Sequence, residues 1–96
     1  MARVQPEMGL KLRLTRRADD RIENLAPGLR GAVLSALIRL AAEPREAGKP
    51  LRGRMRGTWA AKVGSYRILY TIEGAEPAVT VVVRAVLHRS VAYVHQ

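Results

Sequence analysis

Four residues of this chain, Lys62, Arg67, Arg89 and Tyr93, have the types and spacing to act on a phosphodiester. Cleaving RNA without a metal needs three things: a group that draws the proton from the ribose 2′-OH, cations that stabilise the charge of a phosphorane-like transition state, and an acid for the leaving 5′-oxygen. Arginine suits the phosphate because its planar fork donates two parallel charge-assisted hydrogen bonds. Lysine supplies a compact charge and a proton donor. Tyr93 suits stacking on a base or moving a proton. His88, beside Arg89, fits three roles: contacting RNA, transferring a proton, or capping a strand. Each reading has a plainer rival. Arg67 taken alone fits a solvated strand face or an ion pair, Trp59 fits burial better than base stacking, and His95 is incidental.

Such groups act together only if the fold gathers them. From Trp59 the pattern is strand-like: residues 59 to 63, a tight Gly64-Ser65 turn, residues 66 to 72, a turn at Gly74-Ala75-Glu76-Pro77, then Val79 to Val86. Short turns make the three strands antiparallel. Parity points Trp59, Ala61 and Val63 the same way as Tyr66, Ile68, Tyr70 and Ile72, and Lys62 and Arg67 the other way. Tyr66 and Tyr70 are therefore expected in the core or at its rim. Lys62 and Arg67 are expected to converge on the open face near the hairpin turn, with His88, Arg89 and Tyr93 arriving at the same end.

Upstream, Leu10-Lys11-Leu12-Arg13-Leu14 alternates as a first strand. Thr15 is an expected N-cap for a short helix carrying Ala18, Ile22 and Leu25, with Asp19 and Asp20 near its start and Pro27-Gly28 ending it. Leu29, Val33, Leu37, Ile38 and Leu40 predict the apolar stripe of a second helix, stopped by Pro44 and Gly48. The two helices should form a hairpin over the apolar sheet face. Residues 45 to 58 lack periodicity and predict an exposed basic loop. The fold expected is α+β, a small antiparallel sheet with an N-terminal strand, a two-helix hairpin on one face and a C-terminal three-stranded meander.

Ninety-six residues allow one domain, residues 1–96, with 1–9 expected as a loose tail without an apolar leader. No apolar run reaches the roughly 18 to 20 residues of a membrane span, so no membrane partner is expected. Absence of Cys removes disulfides, thiol nucleophiles and Cys-based metal sites, and fits a reducing, cytoplasmic setting. The net charge of +9 predicts a field that attracts polyanions. Its order along the chain matters more. Arg45, Lys49, Arg52, Arg54, Arg56, Lys62 and Arg67 face Glu46 alone, and nothing acidic follows Glu76. Mere solubility, or Arg inflation by a GC-rich genome, would not segregate charge this way. Lys49, Arg52, Arg54, Arg56 and His88 are the expected RNA-binding residues, the loop arginines as nonspecific phosphate contacts.

The block Gly64-Ser65-Tyr66-Arg67-Ile68-Leu69-Tyr70 resembles the Gly-Asp/Thr-Tyr-Arg-Val-hydrophobic-Tyr block of RelE-type toxins of bacterial toxin–antitoxin pairs, and the order of elements is similar over nearly the whole chain. The resemblance implies a ribosome-dependent mRNA endoribonuclease, using no metal or cofactor, that inhibits translation by cutting mRNA in the ribosomal A site. It gives Arg67 the scissile phosphate, makes Arg89 (in Leu87-His88-Arg89) a second catalytic arginine, and matches Tyr93 to a C-terminal Tyr that stacks on mRNA or helps activate the 2′-OH. Lys62 holds the second of two alternating basic positions, and the first is Ala60, a departure that should weaken cleavage. With Gln96 three residues past Tyr93, any C-terminal helix is expected to be a single turn. The implied partners are ribosome, mRNA and a cognate antitoxin that forms a heteromeric complex with an otherwise monomeric toxin. Two rivals stand beside this reading: a ParE-like toxin that poisons DNA gyrase, and a catalytically weakened toxin kept as a binding module.

Overall fold

The computed structural model describes residues 11–92, so the expected tail, Tyr93 and His95 lie outside the described residues. The chain runs β1 (Leu12–Leu14), α1 (Arg16–Glu23), α2 (Pro27–Ala42), α3 (Pro44–Ala47), β2 (Lys49–Pro50), a 3-10 turn (Gly53–Met55), β3 (Trp59–Val63), β4 (Tyr66–Ala75), β5 (Ala78–His88) and α4 (Arg89–Ala92). The strands form one sheet in the order β1-β5-β4-β3-β2. The α+β architecture is the expected one, with one difference: β1 pairs parallel to β5, so the sheet is mixed. Alternation in Leu12–Leu14 fixes which face is buried and carries no information about the neighbour or its direction.

Thr15 caps α1 as expected, its side chain accepting from the Ala18 N–H at 3.2 Å. Pro27 opens α2 where it was expected to close α1. At a first helical position proline loses no hydrogen bond, and its fixed φ already suits the helix. On α2, Val33, Leu37 and Leu40 are buried, but Ile38 is 69% exposed. One residue past Leu37 is a turn of about 100° around the helix, and that carries Ile38 off the stripe.

The core lies between the helices and one sheet face. There Ile22, Val33, Leu37 and Leu40 meet Ala61, Ile68, Tyr70, Val81, Val83 and Val86, with Trp59, Val63, Tyr66 and Ile72 partly buried against them. This is the face assigned by parity. A bulge on β5 makes it possible: Leu69 pairs with Ala85 but Tyr70 pairs with Val83, so Arg84 is the extra residue. The parity of β5 changes there, and Val83 and Val86 both reach the core.

Residues 45 to 58 were expected as an open loop and instead carry α3, β2 and the 3-10 turn. Tyr70 anchors this segment, its hydroxyl donating to the Pro44 carbonyl at 2.6 Å. Gly48 lets it approach, since a Cβ there would collide with the Tyr70 hydroxyl and the Ala60 carbonyl. Gly48→Ala is expected to cost about 1 to 3 kcal/mol of stability in denaturant titrations.

Burial pushes the Tyr70 phenol up to about 12. Below pH 10 the group is neutral in both folded and unfolded chains. Above pH 10 the unfolded chain ionises first, so Tyr70 costs stability progressively between pH 10 and 12, by up to about 1.4 kcal/mol per pH unit. Tyr70→Phe is expected to be about 1 kcal/mol less stable near pH 8, through the lost bond, and to show a shallower alkaline decline. Denaturant midpoints at pH 8 and 11 check both signs.

Candidate functional site

The outer face of the sheet, away from α1 and α2, holds the candidate site. Lys62 on β3 and Arg67 on β4 stand directly opposite each other across the hairpin, two residues from the Gly64-Ser65 turn. Gly64 has φ +59°, the left-handed conformation such a tight turn favours. Lys62 is exposed. Arg67 is 8% exposed, lower in the sheet than a solvated strand cation.

The Arg67 guanidinium is tied down on one side: Nη1 donates to the Gly64 carbonyl at 3.1 Å and to the Tyr66 carbonyl at 2.8 Å. On the opposite side Nε is buried and has no partner. A buried N–H without an acceptor is costly, and the Nε–Nη2 edge is the one that grips a carboxylate or phosphate side-on. Two backbone carbonyls thus fix the plane of the fork, and the unmade bond at Nε lies beneath the surface.

Arg89 is exposed at the start of α4, and its backbone N–H donates to the Ser65 carbonyl at 2.7 Å. That bond fastens α4 to the hairpin turn and brings Arg89 to the same end of the sheet as Lys62 and Arg67. His88 faces elsewhere. Its register partner is Tyr66, whose ring it meets edge-on at 5.4 Å, whereas the partner of Arg67 is Leu87. Consecutive strand residues point to opposite faces, so the imidazole lies on the helix side. His88 Nδ1 accepts from the Ser90 N–H at 3.1 Å and lies 2.8 Å from Ser90 Oγ, which puts the proton of a neutral ring on Nε2. Of its three candidate roles, capping is the one this geometry displays, and the element capped is α4.

The basic loop folds across the outer face. Leu51, Met55 and Leu87 pack on Ala60, Leu69 and Ala85, and the Leu51 N–H to Thr58 carbonyl bond (2.9 Å) closes the segment. Arg52, Arg54 and Arg56 are exposed around this lid, and Lys49, also exposed, pairs with Ala60. At the far end of the face Arg84 is neutralised by Glu73 at 2.7 Å, and Arg45 meets Glu76 at 3.3 Å. Sequence reasoning gave no packing role to Leu51, Met55 and Leu87, the apolar patch beside the cations. Leu51 and Met55, the two large apolar residues within a run of arginines and glycines, were the available signal.

Among the described residues no His, Cys, Asp and Glu group could hold a metal, and no helix is long and apolar enough to cross a membrane. The arrangement offers electrostatics: one exposed lysine, one oriented guanidinium with an unpartnered edge, and a second arginine at the same turn.

Comparison with known proteins agrees on kinship. A model of the ParE toxin of the type II toxin–antitoxin system parDE matches residues 12–93. Toxin RelG of Mycobacterium tuberculosis is 38% identical over 87 residues, covering 90% of this chain and 98% of that protein. The toxin–antitoxin complex RelBE2 of the same organism contains a chain 37% identical, with a TM-score of 0.73, covering 83% of this chain and 98% of its own. A chain of the intact E. coli RelBE toxin–antitoxin complex is 29% identical at a TM-score of 0.67, covering 82% and 95%. A family match over most of the chain and a close relative of nearly equal extent lead to one conclusion: this chain belongs to the ParE toxin family, a type II toxin of the RelE/ParE superfamily.

Proposed function

We propose that this toxin is a metal-independent, ribosome-dependent mRNA endoribonuclease acting in the cytoplasm to inhibit translation. The observation that carries the reading is the Lys62–Arg67 pair directly opposed across the hairpin, with Arg89 fastened to the same turn. In the reaction the 2′-oxygen attacks phosphorus and the bond to the 5′-oxygen breaks, leaving a 2′,3′-cyclic phosphate and a free 5′-hydroxyl. Arg67 and Lys62 offset the charge gained by the non-bridging oxygens. Arg89 adds a third cation, Tyr93 stacks on mRNA or helps activate the 2′-OH, and Lys49, Arg52, Arg54 and Arg56 hold flanking phosphates of ribosomal or messenger RNA. The similarity to RelE-type toxins supports this assignment.

The test is to map mRNA 5′ ends in cells expressing the chain, then to repeat the reaction on purified RNA. Cuts within translated codons that require ribosomes are expected; growth arrest without cuts would overturn the reading. A gyrase-poisoning activity is the second reading, favoured by the ParE description of the matching family. Gyrase-linked DNA breaks would select it. A cognate antitoxin is the further proposed partner, since the similar solved chains come from toxin–antitoxin complexes. Its acidic-apolar segment would cover the outer face or the helices and neutralise part of the +9 charge.

A further inference from the structure

Beside Lys62 the outer face opens into a cleft of about 410 Å³ lined by Glu46, Gly48, Lys49, Leu51, Ala60 and Lys62. That volume lies within the range of small-molecule sites, about 300 to 1,000 Å³. Part of its floor is apolar, where Ala60 presents only a methyl group beside Leu51, and a longer residue at position 60 would fill it. Two lysines stand at its rim. Lys49 is the register partner of Ala60, and Lys62 lies two residues along β3 on the same face.

Glu46 is the anomaly. It is the one acidic residue between Arg45 and Arg67, in the part of the chain most suited to polyanions. Its carboxylate makes no ion pair among the described residues, although Lys49 and Lys62 share its cleft. A free carboxylate there repels phosphate. It stands on α3, whose first residue is held by the Tyr70 hydroxyl on the Pro44 carbonyl. A nucleotide whose phosphate is held by Lys62 or Lys49 has Ala60 and Glu46 within the same cleft, where its base can meet the carboxylate. Guanine has the edge a carboxylate matches in two parallel bonds, N1–H and N2–H to the two oxygens. Adenine and uracil each present an acceptor where one of those donors would be.

We propose that this cleft is a nucleotide subsite that selects guanine through Glu46. The inference rests on the RNA-directed reading of the toxin and names the residue that would give it base preference.

The experiment titrates the purified chain with the 3′-monophosphates of guanosine, adenosine, cytidine and uridine, following backbone amides of Gly48, Lys49, Ala60 and Lys62 by NMR. Saturable shifts are expected, with guanosine 3′-monophosphate binding about tenfold tighter than the others. Glu46→Gln should bring the four nucleotides within about twofold of each other. Equal affinities in the wild type, a guanine preference that survives Glu46→Gln, or shifts confined to other residues would overturn the proposal. The readout needs no ribosome and no cleavage. A guanine-selective cleft in a chain that cuts no mRNA would sustain this inference and remove the ribonuclease reading, whereas mRNA cuts with no base selection in the cleft would do the reverse.

Discussion

Arg67→Ala is expected to abolish growth arrest and lower mRNA cleavage by about a hundred- to a thousandfold, the usual loss when one oriented electrostatic contributor is removed from a transition state. The size of the effect follows from orientation. Nη1 is committed to the Gly64 and Tyr66 carbonyls, so in the proposed reaction the fork would already be aligned and would lose little freedom on docking a phosphate. Because the side chain is 8% exposed, alanine also removes packing, and a stability loss of about 1 to 2 kcal/mol is expected beside the kinetic one. Arg67→Lys separates the two. Lysine keeps the charge and much of the stem but cannot hold two carbonyls and a phosphate in one plane. It should fold with a thermal midpoint close to that of the wild type and still lose most of the cleavage. A folded Arg67→Lys chain with full toxicity would show that bidentate geometry at this position is unimportant.

What the sequence disclosed and what it withheld divide along local and non-local physics. The Lys62–Arg67 opposition was legible because a two-residue Gly64-Ser65 turn leaves a hairpin one register, and period-two parity then sorts the faces. The Thr15 cap was legible for the same local reason. Three features were not. The parallel pairing of β1 with β5 depends on a contact between chain segments about seventy residues apart. The shift of parity at Arg84 comes from a bulge that no single residue type announces. The folded state of residues 45 to 58 rests on the Tyr70 hydroxyl finding the Pro44 carbonyl, a pairing invisible to periodicity. His88 shows how such limits reach the site. Its neighbour in sequence, Leu87, shares a face with Arg67, while the imidazole turns to Tyr66 and Ser90.

Ala60→Lys should act in the opposite direction to Arg67→Ala, raising the cleavage rate about tenfold while erasing base preference. Residues 60 and 62 lie on one face of β3, about 6 to 7 Å apart along the strand, so a second ammonium would reach the phosphate that Lys62 is proposed to hold. The added charge meets Lys49 across the β2–β3 pair, and like charges directly opposite disfavour the fold, by about 0.5 to 1 kcal/mol. The lysine stem would also occupy the floor of the cleft beside Leu51, where the proposed guanine would lie. Ala60→Met provides the control, since it fills the same space without charge. Met should lose selectivity at an unchanged or lower rate, and Lys should lose selectivity at a higher one, both read from the frequency and sequence context of mRNA 5′ ends. If Ala60→Lys folds and cuts no faster, charge beside Lys62 does not limit the reaction. The weak point of the proposed site would then lie in the supply of its general base.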